Sequence, residues 1–410
     1  MTSTTAAGAA DDVVYLDYAA TSAIRPPEVI DAIAAYLRDV GATPGRAGHR
    51  RALDAGRIAF RCRRALAELF AIPGDPGRIA FQLNATHALN VALFGLLHPG
   101  DRVVRTAYDH NSVRRPVAAL AARGVRETVL AGSVDGTLDL GEVERAVVGN
   151  AVLGRAKVLV VPHASNVLGT VLPLAEIAER AHAAGCLLVV DAAQSAGHVA
   201  IDVVRMGVDV LAFTGHKGLL GPQGTGGLWV REGVDVGPVL FGGTGSESWD
   251  AAMPSAMPDR LEAGTQNAPG IAGLLAGLEW IRERSVGSIH AAELALKARL
   301  RAKVAAIEGV RVVSPAAPEG VGIVTVDAGM DSSTVARRLD AEHGVLTRAG
   351  LHCAPEAHDC LGTAERGALR FSIGWATSEA DVDRAATALA AVVGSMSAEA
   401  RKAAGSAGTA

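Results

Sequence analysis

Short apolar runs alternate with helical patterns along most of this 410-residue chain. The runs with the length of strands are at 79–81, 102–104, 158–161, 187–190 and 208–213. Between them, segments such as 177–184 have the apolar spacing of a helix that faces a core. Continuously apolar strands are buried on both faces, which is typical of a parallel sheet covered by helices. The sequence therefore predicts an α/β fold with a mostly parallel sheet flanked by helices.

Two of these runs end in side chains that suit one ligand. The run at 208–213 leads into a glycine-rich turn that holds Lys217, and the run at 187–190 leads into Asp191 and Gln194. Because ligands of a parallel sheet lie outside the carboxyl ends of its strands, we expect Lys217 and Asp191 to face one crevice. A lysine held there suits a Schiff base with a carbonyl cofactor, and a carboxylate keeps a pyridine ring protonated. The pattern predicts a site for pyridoxal 5'-phosphate (PLP), with Gln194 near the phenolic oxygen of its ring.

The sequence resembles the class V aminotransferase family of fold-type I PLP enzymes, and within it the NifS-like cysteine desulfurases and selenocysteine lyases. The resemblance extends from Tyr-Leu-Asp-Tyr-Ala-Ala-Thr at 15–21 to Arg-Phe-Ser-Ile-Gly at 370–374. It implies a fold-type I PLP-dependent transferase with a smaller α+β C-terminal domain. The cofactor contacts that it implies are Lys217 as the Schiff base, Asp191 and Gln194 at the ring, and Thr214 and His216 at the phosphate.

The turn between the run at 79–81 and the helical pattern at 85–97 suits a phosphate. Such a turn offers free backbone N–H groups and the positive end of the helix dipole, and both favour an anion. Thr86 is the predicted phosphate contact, its simpler alternative being a plain helix cap. The resemblance adds Ala85 as a cofactor contact. Relatives usually carry an acidic residue where this chain has His87, which leaves the surrounding hydrogen bonds open.

The resemblance implies four further site residues. His110 stacks on the cofactor ring and shuttles protons, because imidazole ordinarily titrates near neutral pH; from its position alone it could equally be a loop histidine. Asn166 follows the run at 158–161 and contacts the substrate and the ring oxygen. Arg370 binds the substrate carboxylate with its fork of N–H donors, the alternative being a surface arginine on an edge strand. Ala20 is the remaining substrate contact.

A thiol is what separates a desulfurase from other PLP enzymes. The segment Thr-Arg-Ala-Gly-Leu-His-Cys-Ala-Pro-Glu at 347–356 matches the part of the family that carries it. In the family's mechanism Lys217 takes the alpha proton of cysteine, and the thiolate of Cys353 attacks its sulfur, which yields alanine and a persulfide. The segment has no strand or helix period and includes Arg348 and His352, so we expect an accessible thiolate beside cationic groups.

The predicted function is a PLP-dependent cysteine desulfurase that converts L-cysteine to L-alanine and transfers sulfane sulfur through Cys353. A selenocysteine lyase, a C–S beta-lyase, an epimerase or an aminotransferase on the same scaffold is the alternative, in which Cys353 is dispensable. A catalytically silent PLP-binding partner protein is a more remote one. Tyr18 and His87 depart from the residues of relatives and leave the substrate range open. The physiological sulfur acceptor is also open.

Four possible nitrogen and sulfur ligands lie close together in the sequence: His352, Cys353, His358 and Cys360. Such crowding can indicate zinc. Their spacing, however, is neither C-x-x-C nor H-x-x-x-H, so we expect no metal. Cys62 lies on a helical apolar stripe and Cys186 begins an apolar run, as expected of buried structural cysteines, whereas Cys360 has no clear role.

The composition of the chain bears on its partners and on the compartment in which we expect to find it. The net charge of −4, with acidic and basic residues intermixed, offers no surface for nucleic acid. Four cysteines without a paired framework suggest a reducing compartment. Residues 1–12 lack the features of a secretory signal, and no apolar run approaches the ~20 residues that span a bilayer. We expect a cytoplasmic enzyme without membrane contact.

The predicted organisation has two domains and two tails. The segments are a disordered N-terminal tail at 1–12, an N-terminal segment at 13–27 that packs with the small domain, a large PLP-binding domain at 28–286, a small C-terminal domain at 287–396 and a flexible tail at 397–410. The large domain opens with a helix whose apolar stripe is Val29, Ile33, Leu37 and Val40. By resemblance, Thr244 in the turn-rich segment 241–246 reaches the cofactor of a neighbouring subunit, so a homodimer is expected.

Overall fold

Three sheets and the helices around them make up the part of the chain that the computed structural model describes, residues 13–45, 48–316 and 320–407. The strands are β1 (Val14–Tyr15), β2 (Ile79–Gln82), β3 (Arg102–Thr106), β4 (Arg126–Leu130), β5 (Val158–Pro162), β6 (Leu187–Asp191), β7 (Val210–Thr214), β8 (Gly226–Val230), β9 (Arg311–Val312), β10 (Ile323–Asp327), β11 (Val345–Leu346), β12 (Arg348–Gly350) and β13 (Ala368–Ser372). The helices are α1 (Pro27–Ala35), α2 (Arg50–Leu69), α3 (Ala85–Leu96), α4 (Asn111–Ala121), α5 (Leu140–Val148), α6 (Leu174–Ala183), α7 (Ala268–Arg284), α8 (Val286–Ala305), α9 (Ser332–His343), α10 (Pro355–Leu361) and α11 (Glu379–Ala407). None of these helices is long and apolar enough to cross a membrane.

The largest sheet has seven strands in the order β2-β8-β7-β6-β5-β3-β4. Strands β3 to β7 run parallel to one another, whereas β8 is antiparallel to both β7 and β2. The predicted mostly parallel α/β sheet is therefore confirmed. The apolar runs did not reveal two of its strands: β4 is an edge strand with exposed polar residues, and β8 begins with two glycines.

Both faces of this sheet are covered by helices, as continuous apolar strands require. Along β5, Leu159 and Val161 pack into a core with α2, α5, α6 and α7. Val158 and Val160 point the other way, into a core with α3 and α4. Side chains alternate between the faces of a strand, so one apolar run supplies both cores.

The opening helix differs from the stripe that the sequence predicts. Val29 is fully buried, but α1 ends at Ala35 and a π-helical turn follows over Tyr36–Val40. The wider turn shifts the side-chain period, so that Tyr36 is buried and Leu37 is 62% exposed. The predicted stripe is therefore wrong at Leu37.

A four-stranded antiparallel sheet, β12-β13-β10-β9, packs with α8, α9 and α11 in a separate core near the C-terminal end of the chain. The N-terminal strand β1 joins this region by pairing in parallel with β11. The division at 28–286 and 287–396 stays a prediction; α8 begins at Val286.

The last helix differs from the flexible tail that the sequence predicts from residue 397. Helix α11 continues through Ala407, where Glu399 accepts hydrogen bonds from Ser395 and Arg338. These contacts hold the helix at Glu399, beyond the residue at which the flexible tail is predicted to begin. The predicted N-terminal tail at 1–12 and residues 408–410 lie outside the described residues.

Candidate active site

A cavity of about 310 Å³ lies at the carboxyl ends of β5, β6 and β7, the edge at which ligands of parallel sheets bind. It brings together all but one of the predicted site residues. Those that line it are Ala20, Ala85, Thr86, His110, Asn166, Asp191, Gln194, Thr214, His216, Lys217, Cys353 and Arg370. Thr244 does not line it; its hydroxyl is hydrogen-bonded to Ser246 instead.

Two turns with close backbone contact bring Lys217 to Asp191. A Cβ atom on Gly218 would lie 2.4 Å from the carbonyl oxygen of Ala196, and one on Gly197 would lie 2.2 Å from that of Gly218. Gly197 also has a φ of +86°, which favours glycine. The turns that follow β6 and β7 can therefore touch only because both positions lack a side chain.

Burial perturbs both ionisable groups at the centre of the cavity. It lowers the pKa of Lys217 to about 8, although the Asp191 carboxylate acts in the opposite direction. It raises the pKa of Asp191, although the Ala193 amide and the Lys217 ammonium oppose the shift. A buried carboxylate of this kind gains stability from a cation placed against it.

Several polar groups around this pair suit the ring and phosphate of a cofactor. The Thr214 hydroxyl is buried and has no hydrogen-bond partner among the described residues. Gln194 donates to the carbonyl of Ala19 at 2.9 Å, which holds its amide at the cavity wall. His216 contacts the Thr21 hydroxyl at 3.1 Å, and burial lowers its pKa to about 4. At neutral pH the uncharged ring of His216 can donate a hydrogen bond to a phosphate.

Asn84, not Thr86, caps the N-terminus of α3. Its side chain accepts a hydrogen bond from the backbone N–H of His87 at 2.9 Å. The Thr86 hydroxyl is therefore not needed for capping, and the helix still presents its positive end to the cavity. Burial lowers the pKa of His87, whose Nδ1 accepts from the backbone of Leu83 at 3.4 Å. His87 is therefore neutral at physiological pH.

The surroundings of His110 lower its pKa below the ordinary value of imidazole, so the ring is neutral at physiological pH. Burial lowers its pKa to about 4, and the positive charges of Lys217, Arg370 and Arg115 act in the same direction. Its Nδ1 accepts a hydrogen bond from the backbone N–H of Ser112 at 3.0 Å, which caps α4. The single proton of the neutral ring is therefore assigned to Nε2.

Arg370 lies on β13 and is almost completely buried. Its Nη1 donates to the backbone carbonyl of Asn166 at 3.0 Å, and its Nη2 donates to Asp17 at 2.9 Å. The Arg348 guanidinium lies 3.6 Å from the same carboxylate. Asp17, which the sequence reasoning missed, thus orients the arginine expected to bind substrate. Its only sequence signal was its place in the motif at 15–21.

Cys353 is exposed on the turn between β12 and α10. Its φ is +58° and that of His352 is +50°, conformations that L-residues adopt only when surrounding contacts enforce them. Two hydrogen bonds, from Asn111 and Asn166, enforce these conformations here. The backbone N–H of Asn111 donates to the Cys353 carbonyl at 2.7 Å, and the Asn166 side chain donates to that of His352 at 2.7 Å.

A chain of hydrogen bonds through two buried imidazoles holds the same turn. The Thr363 hydroxyl donates to His358 Nδ1 at 2.8 Å, and His358 Nε2 donates to His352 Nδ1 at 3.0 Å. His352 Nε2 in turn donates to the carbonyl of Arg348 at 3.3 Å. These directions require neutral rings, and burial lowers the pKa of both histidines, that of His358 to about 4.

This imidazole chain changes one expectation. His352 is not a cation beside Cys353, so of the two cations predicted there only Arg348 carries a charge. The crowding of His352 and His358 in the sequence reflects their direct contact with each other.

Cys62 and Cys186 are buried, as expected of structural cysteines.

An ion-pair network ties α10 to the large sheet. Glu356, in the first turn of α10, accepts hydrogen bonds at 2.9 Å from both Arg105 on β3 and Arg114 on α4. Arg105 also pairs with Glu127 on β4. Hydrogen bonds therefore hold the turn that carries Cys353 at two places. One is the pair of backbone carbonyls of His352 and Cys353, and the other is Glu356 in the helix that follows.

Comparison with known proteins identifies the family. The profile of the family described as "Aminotransferase class-V" matches residues 14–385. A "Probable cysteine desulfurase" of Methanothermobacter thermautotrophicus is 33% identical over 391 residues, which cover 93% of this chain and 95% of that protein. One from Pseudomonas aeruginosa is 34% identical and covers 92% of both chains.

A solved structure agrees with this similarity. The apo cysteine desulfurase of Thermococcus onnurineus NA1 has a TM-score of 0.86 and 32% identity, and the match covers 93% of this chain and 95% of that one. The fold-type I architecture and the family resemblance are confirmed. The chain belongs to the class V aminotransferase family of PLP-dependent enzymes, in its NifS-like group.

Proposed function

We propose that this protein is a PLP-dependent cysteine desulfurase, which converts L-cysteine to L-alanine and retains the sulfur as a persulfide on Cys353. The observation that carries the proposal is that Cys353 lines the same cavity as Lys217, Asp191 and Arg370. Relatives named cysteine desulfurases that match nearly the whole chain support it.

The cavity residues fit the cofactor of the family. Lys217 would attach it, Asp191 and Gln194 would contact its ring beside His110 and Asn166, and Ala85, Thr86, Thr214 and His216 would hold its phosphate. The buried Thr214 hydroxyl, which lacks a partner among the described residues, is the clearest sign of fit, since such groups are rarely left unsatisfied. When bound, the cofactor supplies an electron sink that acidifies the alpha carbon of an amino acid.

Residues of this chain would position the substrate and move its protons. Arg370 has five N–H groups, of which two bond to Asn166 and Asp17, so that it can still donate to a carboxylate. Ala20 and Asn166 would line the substrate's position. Lys217, with a pKa of about 8, can exist as the neutral amine that accepts the alpha proton near physiological pH.

Cys353 would carry out the sulfur transfer. Its thiolate attacks the sulfur of the bound substrate, the carbon–sulfur bond breaks, and the carbon is protonated to give alanine. Cysteine and one enzyme thiol thus become alanine and one enzyme persulfide, with no external oxidant or reductant. Arg370 lies close enough to interact electrostatically with this thiolate.

The test is to incubate the purified holoprotein with L-cysteine and to quantify alanine, sulfide and pyruvate. We expect alanine in the wild type and its loss in Cys353→Ser. Cys360→Ser is the matched control, because Cys360 is a second free cysteine that lies outside the cavity. Pyruvate as the main product, or unchanged alanine formation in Cys353→Ser, would favour a beta-lyase or another class V reaction.

We also propose a homodimer in which Thr244 serves the partner's cofactor, since Thr244 lies apart from the cavity of its own chain. Phe241 in the same segment and Trp249 just after it are 74% and 104% exposed, which suits an interface. A cytoplasmic location is consistent with four free cysteines. Light scattering that found an active monomer would refute the shared site.

A further inference from the structure

A second cavity, of about 320 Å³, lies between α3 and α4. We call it the outer cavity. Thr86, His110, Ser112 and Cys353 line both this cavity and the candidate active site. The residues that line the outer cavity alone are Asn90, Phe94, Asn111, Arg115, Pro116 and Ala119. Cys353 therefore borders both cavities, whereas Lys217 lines only the active-site cavity.

The outer cavity has a positive electrostatic character. Arg115 is exposed, and within the described part of the chain it has no hydrogen bond or ion pair. Among the residues that the structure describes, no acidic side chain lines the cavity, and Glu356 is already bonded to Arg105 and Arg114. The Arg123 guanidinium lies 5.0 Å from the centre of the Phe94 ring and adds a second positive charge at this wall.

The hydrogen bonds that hold the Cys353 turn affect the second half of the proposed reaction, in which the persulfide sulfur passes to an acceptor. Asn111 and Asn166 hold its backbone from one side, and Glu356 holds the following helix. These contacts fix the backbone of the turn, so we expect an acceptor to approach Cys353 where it lies. After alanine leaves, the active-site cavity would still hold the cofactor and take the next cysteine, whereas the outer cavity also borders Cys353 and is free for an acceptor.

We propose that the outer cavity binds the sulfur acceptor, a small thiol with a negative charge that Arg115 recognises. This inference rests on the proposed desulfurase function. The volume of the outer cavity, about 320 Å³, is within the usual range for small-molecule sites, about 300–1,000 Å³. The acceptor thiolate attacks the terminal sulfur of the Cys353 persulfide, the sulfur–sulfur bond breaks, and Cys353 leaves as a thiolate. The acceptor then carries the persulfide, and no oxidant or reductant is consumed.

The experiment measures how charge on a thiol affects sulfur transfer. The holoenzyme is loaded with one equivalent of L-cysteine, and the persulfide is then mixed with 3-mercaptopropionate, 2-mercaptoethanol or cysteamine. The quantity of interest is the ratio of the transfer rates for the anionic and cationic thiols. Comparing this ratio between variants cancels the intrinsic reactivities of the thiols. The alanine released during loading reports the first half-reaction separately.

We expect the ratio to fall about threefold in Arg115→Ala, the effect of one partly screened charge, and further in Arg115→Glu. Arg205→Glu is the matched control, because Arg205 is exposed and lines neither cavity. Raising the salt from ~50 mM to ~500 mM should reduce the wild-type ratio, since the Debye length shortens. Ala119→Phe, which fills the outer cavity, should slow transfer to all three thiols.

Two results would overturn the proposal. One is a ratio that is the same in the wild type, Arg115→Ala and Arg115→Glu. The other is transfer to the three thiols that Ala119→Phe leaves unchanged, which would show that they reach Cys353 without entering the outer cavity. Failure to release alanine during loading would instead refute the desulfurase function itself.

Discussion

Replacing Glu356 by glutamine should destabilise the fold near Cys353 by an amount that depends on pH. Glu356 bonds to Arg105, whose side chain is 4% exposed, and to Arg114, whose side chain is 41% exposed. Removing one partner of a buried pair costs about 3–5 kcal/mol, whereas an exposed pair contributes about 0–1 kcal/mol. Because Arg105 keeps Glu127, we expect a loss of about 2 kcal/mol at pH 7.

The pH dependence follows from the pKa of Glu356. Burial acts to raise this pKa, but the hydrogen bonds and charges of Arg105 and Arg114 together lower it. A carboxylate with a lowered folded pKa stabilises the protein above its unfolded pKa of about 4.3 and loses that effect as the pH falls through the folded value. The difference between wild type and Glu356→Gln should therefore be full at pH 7 and vanish in acid.

The assay is urea unfolding of the two holoproteins at several pH values, together with hydrogen exchange of residues 351–361. The variant should exchange faster in α10, because the contacts that tie this helix to β3 and α4 are weakened. Glu342→Gln is the control, since Glu342 pairs with Arg338 on the surface and should change the free energy of unfolding by less than about 0.5 kcal/mol. An unchanged stability at pH 7, or a difference that persists well below pH 4, would refute the reasoning.

Three further outcomes are expected. Thr363→Val should lower the free energy of unfolding by about 1–3 kcal/mol, because it leaves the buried Nδ1 of His358 without a hydrogen-bond donor. Thr363→Ser keeps a hydroxyl and should lose much less stability. Equal losses in the two variants would contradict the hydrogen bond. Asp191→Asn should move the pKa of Lys217 in the cofactor-free protein below about 8, measured by the pH dependence of its acylation, and a rise would contradict the pairing. Gly218→Ala should reduce the amount of cofactor bound per chain, because the Cβ of the new alanine meets a backbone oxygen. Visible absorbance measures the bound cofactor, and full occupancy would show that the turn can move.

How far the sequence predicts this structure depends on whether the signal is local. Apolar runs identified β5, β6 and β7, because strands buried on both faces need apolar residues throughout. Strand β4 was missed since an edge strand has polar residues, and the opening helix changed period at a π-helical turn. These errors arise where neighbouring elements, and not the local pattern, decide which side chains are buried.

The candidate site divides in the same way. Lys217 and Asp191 could be placed at one edge because each directly follows a strand. The neutral state of His110 could not be predicted, since it depends on burial and on charges from distant segments. Asp17 gave no signal of its contact with Arg370, which lies 353 positions away in the chain.

The sequence by itself determined the parallel sheet, the cofactor chemistry at its carboxyl edge and the thiol in the segment at 347–356, because hydrophobic period and motif are properties of neighbouring residues. Only the tertiary structure decided which groups are charged and how Cys353 is held between two cavities. Contacts such as that between Arg105 and Glu356 join residues 251 positions apart. Burial and electrostatic potential are set by such contacts, so they exist only once the chain has folded.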